Sequence, residues 1–296
     1  MTDPASVEPA RGGVEAITQD PRDRVLISVD ELRRRLAGPD APQLLDIRWN
    51  LGSPEGAGRL RYAEGHLPGA GYLDLEEVLT GPSTDPLLGR HPLPDAERVA
   101  AGLAAVGVDP RRPIVVYDQP GSFAAGRAWW VLAWLGVDVR VLDGGIDAWV
   151  EAGGRLEPGE RAVTPLRPVR LTTGHLPTLD ADQVAAFEGT LIDVRAPERY
   201  RGEVEPIDSR AGHIPGAVNR PVKDFWDAEG KLPPPERLRE LLALPEGAPV
   251  AVYCGSGVSA ARVLLALASL GVDAALYPPS WSGWSSDPDR PVAVGG

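Results

Sequence analysis

The sequence holds a single cysteine, Cys254, and its setting is that of a nucleophile. The apolar run Val250-Ala251-Val252-Tyr253 leads into it. Gly255-Ser256-Gly257-Val258-Ser259 follows, and then a segment of helical character to Leu270. Two glycines let successive backbone N–H groups turn towards one point, an anion-binding nest. The helix that follows offers its positive dipole end and its unpaired N–H groups to the same point. Both features stabilise Cys–S⁻. No histidine lies nearby in sequence, which argues against a Cys-His pair of the protease kind. A lone cysteine is more often a small buried hydrophobe. The strand-end position and the glycine loop tip the reading towards chemistry, since ligands bind at the carboxyl ends of strands in open parallel sheets.

The elements that must hold this loop appear twice. Leu44-Leu45-Asp46-Ile47-Arg48 returns as Leu191-Ile192-Asp193-Val194-Arg195. Gly65-His66-Leu67-Pro68-Gly69-Ala70 returns as Gly212-His213-Ile214-Pro215-Gly216-Ala217. Ile114-Val115-Val116-Tyr117-Asp118 returns as Val250-Ala251-Val252-Tyr253-Cys254, and Leu135-Gly136-Val137-Asp138 as Leu270-Gly271-Val272-Asp273. The order is kept, so the chain reads as two copies of one domain. Short apolar runs mark strands buried on both faces at Leu44–Ile47, Ile114–Tyr117, Val139–Leu142, Leu191–Val194 and Val250–Tyr253. Helices are expected over Val29–Leu36, Ala124–Leu135, Leu179–Phe187 and Ser259–Leu270. Strands alternating with helices imply an α/β fold, each copy a mainly parallel sheet flanked by helices. The expected layout is a flexible tail over residues 1–24, a first domain over 25–155, a linker over 156–177 and a second domain over 178–296.

Duplication also supplies an internal control. Features in both copies serve the fold, and features in one copy are candidates for function. Asp118 stands where the second copy has Cys254, so thiol chemistry belongs to the second copy alone. Each Asp-x-Arg, Asp46/Arg48 and Asp193/Arg195, reads as a structural ion pair, and Arg262 has a near match in Arg127. Arg199 falls where the first copy has Gly52, so it is a candidate to hold a donor's carboxylate or sulfo group with its planar fork. His66 and His213 share the same turn and read as structural, with His66 kept as a possible cleft residue if the halves face each other.

Composition narrows the function classes. Over 296 residues the formal net charge is −12, which disfavours binding nucleic acid by neutralising phosphates. Basic clusters suited to anionic membranes are missing, and no stretch approaches the ~18 apolar residues of a membrane span. One cysteine excludes an internal disulfide and any zinc site needing two thiolates, and four histidines leave little for a metal centre. No metal or organic cofactor is expected. The start of the chain lacks the pattern of a secretory signal, which points to the cytoplasm.

Taken together, the two Gly-His-x-Pro-Gly-Ala turns, Asp143-Gly144-Gly145 with Trp149 downstream, and Cys254-Gly255-Ser256-Gly257-Val258-Ser259 resemble a tandem-domain rhodanese over about residues 25–294. In that family the first domain is inactive and commonly carries Asp at the cysteine position, as Asp118 does here. The resemblance implies a sulfurtransferase that forms a persulfide on Cys254. It implies a small-molecule sulfur donor, and an acceptor that is a thiol, cyanide or a thioredoxin-like protein. The neutral Gly255 and Ser256 are similar to the 3-mercaptopyruvate branch, whereas thiosulfate-preferring members carry Arg and Lys there. Substrate contacts then fall to Arg199 and to Gly255, Ser256, Gly257, Val258 and Ser259. Mercaptopyruvate enzymes also carry a second substrate Arg after a Glu-Pro pair; here Glu205-Pro206 leads to Ile207-Asp208, and Arg210 is the nearest candidate. The alternatives are a thiosulfate:cyanide sulfurtransferase, a Cys-dependent phosphatase and a non-catalytic sulfur carrier or binding module. The phosphatase reading lacks its Cys-x5-Arg, because that position is Ala260 and the nearest arginine is Arg262.

Overall fold

The computed structural model describes residues 20–296. Two parallel sheets form the frame. In the first half the strands are β1 (Leu26–Ile27), β2 (Gln43–Asp46), β3 (Gly71–Tyr72), β4 (Ile114–Tyr117) and β5 (Val139–Leu142), in the order β1-β5-β4-β2-β3. In the second half they are β6 (Thr190–Asp193), β7 (Val218–Asn219), β8 (Val250–Tyr253) and β9 (Ala274–Leu276), in the order β7-β6-β8-β9. Every pairing between these strands is parallel. The central strands β4 and β8 are buried at every position, which is why their sequences are continuous apolar runs rather than alternating ones.

The duplication is visible in side-chain detail. Arg48 chelates Asp46 at 2.7 and 3.0 Å and donates to the carbonyl of Gly65 at 2.7 Å. Arg195 chelates Asp193 at 2.7 and 3.1 Å and donates to the carbonyl of Gly212 at 2.6 Å. Each pair is buried, so its charges are matched by a bidentate partner and its remaining N–H by a carbonyl. The pair therefore ties the end of β2 or β6 to the Gly-His turn of its own half. The hydroxyl of Tyr117 accepts from the N–H of Leu67, and that of Tyr253 from Ile214, pinning the same turns to the central strands.

Two expectations need correction. The tail expected to run to residue 24 is helical from Pro21 to Val25. Asp20 caps that helix and Pro21 opens it, and Arg22 anchors it by donating to the carbonyls of Leu232 and Pro233 and to Asp143. The rest of that expectation lies outside the described residues. The helix expected over Leu179–Phe187 spans only Ala181–Ala185, because Asp180 and Gln183 form a capping box that fixes its start. Over residues 156–177 the backbone runs along the first half, where Glu157 pairs with His66, Leu166 donates to Ala104 and His175 to Trp134.

The halves meet through the helices that follow the central strands, Ala124–Trp134 and Val258–Ser269. Their approach is close: a Cβ at Gly126 would fall 2.8 Å from the Cα of Arg262, so only glycine fits there. Each helix sends a buried arginine to the other half. Arg127 donates to the carbonyls of Leu79, His91 and Pro92 in its own half and to that of Gly257 in the other. Arg262 donates to the carbonyl of Ser122 and stacks over Trp226, 4.2 Å from the ring centroid. Burial pushes the Arg127 guanidinium down to about 10, opposed by charge on Cys254 and Glu76. Among the described residues no helix is long and apolar enough to cross a membrane.

Candidate active site

β8 ends at Tyr253, and Cys254 is the next residue, 1% exposed. Its backbone is held on both sides. The N–H of Cys254 donates to the Ser280 hydroxyl at 3.2 Å, and its carbonyl accepts from Trp281 at 2.9 Å. The Gly255 carbonyl accepts from Ser282 at 2.9 Å. The loop then turns back on the sulfur, and the N–H of Gly257 points at Cys254 Sγ at 3.1 Å. This turn requires φ +83° at Gly257, a left-handed conformation that glycine adopts without strain. Gly257 also caps the helix Val258–Ser269, so the sulfur faces that helix's N-terminus.

A cleft of about 380 Å³ opens beside the sulfur, lined in the second half by Arg195, Arg199, Cys254, Gly255, Ser256 and Ser259, and by Val258. The first half supplies Trp49, Asn50, Leu51, Arg90 and Phe123. The cleft therefore lies between the halves, and the loop residues singled out in the sequence line it, with Gly257 turned beneath the sulfur. Arg199 also lines it. Its Nη2 donates to Glu205 at 2.7 Å and to Asp208 at 3.0 Å, and its Nε reaches Glu205 at 3.3 Å. The side chains of Glu205 and Asp208 are buried, so they hold the guanidinium in one orientation.

His66 is not brought to the cleft. Its ring stacks on Tyr62 with centroids 3.9 Å apart, and Nδ1 lies 3.0 Å from the Tyr62 carbonyl. His213 repeats the arrangement on Tyr200 at 3.8 Å. Both histidines brace turns, and the reason His66 fails as a cleft residue is that its ring is spent on this stack. Arg210 is also spent elsewhere. It donates to the carbonyls of Ser285, Trp284 and Arg290, closing the C-terminus of the helix Ser280–Ser286. Arg262 faces Ser122, Gly230 and Trp226 rather than the sulfur.

Sequence reading missed the first-half wall, Arg90 above all. Nothing in the local string Gly89-Arg90-His91-Pro92 marks it, because its place depends on how the halves pack. Among the described residues no cluster of His, Cys, Asp and Glu is arranged to hold a metal. The site offers a thiol with one N–H on its sulfur, a cationic rim and a cleft sized for a small anion. That set suits nucleophilic attack on a small anionic substrate and stabilisation of a sulfur anion.

Comparison with known proteins agrees with this geometry. The family model for the rhodanese-like domain matches residues 28–152 and 178–287. The chain is 44% identical over 283 residues to the "Putative thiosulfate sulfurtransferase SseB" of Mycobacterium tuberculosis, covering 93% of this chain and 98% of that one. It is 44% identical over 282 residues to the "Probable 3-mercaptopyruvate sulfurtransferase" of Pseudomonas aeruginosa, covering 91% and 98%. The crystal structure of SseA from Escherichia coli, described as a 3-mercaptopyruvate sulfotransferase with the rhodanese fold, superposes with a TM-score of 0.75 at 32% identity, covering 86% of this chain and 98% of that one.

Proposed function

The chain belongs to the rhodanese-like family, in two tandem copies, and from that premise we propose that it moves the sulfur of 3-mercaptopyruvate to a thiophilic acceptor, carrying it as the sulfane sulfur of a persulfide on Cys254. The observation that carries this reading is the placement of Cys254 Sγ, which receives the Gly257 N–H at 3.1 Å and opens on a cleft rimmed by Arg199.

The chemistry follows from that placement. The Cys254 thiolate attacks the donor's sulfur. A sulfur–sulfur bond forms, the carbon–sulfur bond breaks, and the electron pair leaves with carbon as the enolate of pyruvate. The proton lost from the donor thiol is recovered by that enolate. Cys254 then carries a terminal sulfur anion, and the Gly257 N–H and the helix N-terminus stabilise charge there. An acceptor thiolate, or cyanide, attacks the terminal sulfur and restores the Cys254 thiolate, which gives ping-pong kinetics. A thiol metabolite or a thioredoxin-like protein suits the acceptor role. Arg199 orients the donor carboxylate, and the loop 255–259 shapes the pocket floor.

Neutral residues at Gly255 and Ser256 support a carboxylate donor over the dianion thiosulfate. A thiosulfate donor is the second reading, favoured by the name of the M. tuberculosis relative. A cytosolic setting suits a lone reactive thiol, since reducing conditions keep it free. The test is intact-protein mass spectrometry after exposure to each donor. The expected result is a gain of one sulfur atom from mercaptopyruvate, faster than from thiosulfate, and none in Cys254→Ser. Faster loading from thiosulfate would reverse the donor assignment, and loading of the serine variant would overturn the mechanism.

A further inference from the structure

We propose that the part of the cleft walled by Trp49, Leu51 and Phe123, all from the half without the thiol, is an acceptor subsite that takes a small thiol with an aromatic or other apolar body. The inference rests on the proposed persulfide on Cys254 and names the class of molecule that removes its sulfur.

Division of the cleft by chemistry is the first observation. At Gly255, next in sequence to the nucleophile, the three atoms nearest to a Cβ would all be guanidinium nitrogens of Arg90 and Arg199. Charge there suits the donor's carboxylate. Elsewhere the lining carries a set of apolar side chains. Trp49 and Phe123 are linked through Ser122, whose hydroxyl donates to the Trp49 carbonyl at 2.8 Å. Val222 joins Val194 by a backbone bond of 2.9 Å, and both also line the cleft. Volume is the second observation. The cleft holds about 380 Å³. Mercaptopyruvate has seven heavy atoms, and at roughly half the ~30 Å³ of a liquid water for each it fills on the order of 100 Å³. Most of the cleft is therefore more than the donor uses.

The third observation is that the apolar wall is both fixed and open. The Trp49 ring meets the His91 ring edge-on, with centroids 5.7 Å apart. Leu51 lines the cleft and is nevertheless 60% exposed. It is not an isolated surface leucine, because it continues the apolar wall of Trp49 and Phe123 out to the lip. Beyond the lip a second hollow of about 420 Å³ shares Trp49, Asn50 and Leu51 with the cleft and is lined further by Asp74, Glu76 and Glu77. These carboxylates disfavour an anionic tail on the acceptor. An uncharged apolar body gains by leaving water for a rigid indole face. Cyanide, two atoms long, would use none of this wall.

In the transfer the acceptor thiolate attacks the terminal sulfur of the Cys254 persulfide. A sulfur–sulfur bond forms to the acceptor, the bond to Cys254 Sγ breaks, and its electron pair stays on Sγ as the thiolate. The acceptor leaves as its own persulfide, and no outside oxidant or reductant takes part.

Single-turnover transfer from preloaded enzyme tests the subsite. Inorganic polysulfide places the persulfide on Cys254 without either donor, and desalting removes the excess. Benzyl mercaptan and 2-mercaptoethanol have thiols of similar acidity, and only the first has an apolar body. Intact-protein mass spectrometry follows loss of the sulfur atom to each, and the ratio of the two rates cancels the reactivity of the persulfide itself. The wild type is expected to favour benzyl mercaptan by about tenfold, through partial burial of its ring. Leu51→Ser, at an exposed position, is expected to lower that ratio about threefold, and Trp49→Ala to bring it close to one. Trp49→Phe should keep most of it. A wild-type ratio near one, or a ratio unmoved in both Leu51→Ser and Trp49→Ala, would overturn the subsite. Loading from mercaptopyruvate decides the proposed transfer separately, because the chemically loaded enzyme reports on the acceptor whichever molecule is the donor. A Cys254 that takes no sulfur from polysulfide either would overturn both.

Discussion

Asp118 and Cys254 stand at the same point of the two halves, each one residue beyond the central strand and each accepting a backbone N–H from the start of the helix that follows or the residue capping it. Asp118 accepts from Ala125 at 2.9 Å through its carboxylate, and Cys254 from Gly257 at 3.1 Å through its sulfur. The space beside them differs: about 20 Å³ next to Asp118 and about 380 Å³ next to Cys254. One half therefore keeps the anion site as an internal carboxylate, and the other opens it to ligands. Asp118→Cys is expected to add a thiol that takes up no sulfur. Mass spectrometry of Asp118→Cys in the Cys254→Ser background checks this; a gained sulfur atom would show that space is not what separates the halves.

Asp118 also sets a pH dependence. Burial pushes its carboxyl up, against the charge of Arg262. A carboxyl raised in the native state binds its proton more tightly there than in the unfolded chain, so this group favours folding as pH falls and carries a cost above its native titration. Asp118→Asn is expected to raise the melting temperature at pH 7, with the gain shrinking towards pH 4. A gain that grows on acidification would contradict the assignment.

Arg199→Ala should raise KM for mercaptopyruvate by roughly 10- to 100-fold, the cost of a charge-assisted contact of about 1.5–3 kcal/mol. Arg199→Lys should recover part of it, because the cation survives but the fork does not. Steady-state kinetics at saturating acceptor separate this from a folding defect, which would lower active enzyme without moving KM.

Gly257→Ala is expected to cost about 1–2 kcal/mol from the left-handed backbone alone. Its Cβ would also fall 2.7 Å from the Pro278 carbonyl oxygen, so the loop must shift. Activity should fall more than stability, since the displaced N–H is the one on the sulfur. Thermal melts alongside persulfide formation measure both.

Arg127→Leu removes a buried cation and withdraws a donor from four carbonyls, of which that of Pro92 keeps the N–H of Gly81. A loss of about 2–4 kcal/mol is expected from denaturant titration, because each unsatisfied buried group costs about 1–3 kcal/mol and partial relaxation recovers some. An unchanged midpoint would mean that water replaces the guanidinium.

Much of this was legible in the sequence. The runs at Ile114–Tyr117, Val139–Leu142 and Val250–Tyr253 match their strands end to end, since a strand buried on both faces leaves an unbroken apolar signature. The pairing of Asp46 with Arg48 and Asp193 with Arg195 was readable because both partners lie two residues apart. Short edge strands such as β3 and β7 left no such trace, being two residues each. Arg90 was invisible for another reason. It is 164 positions from Cys254 in the numbering, and contacts between the halves, the close approach of Gly89 to Pro279 and the bond of Arg90 N–H to Ser282, bring it to the site. His66 misled for the converse reason: a histidine in a repeated turn shows no sign of the tyrosine that occupies its ring.

The reciprocal arginines at the helix contact bear on what the first half is for. Arg127 grips the carbonyl of Gly257, the residue whose N–H meets the sulfur, from the opposite half of the chain. A catalytic half expressed by itself would keep its nucleophile and lose the grip on its loop. It would also expose the face of the helix Val258–Ser269 that Gly126 now meets at backbone distance. The half without a thiol is thus the other jaw of a vice closed on the catalytic loop, and a chain shortened to its reactive end is expected to let the workpiece slip.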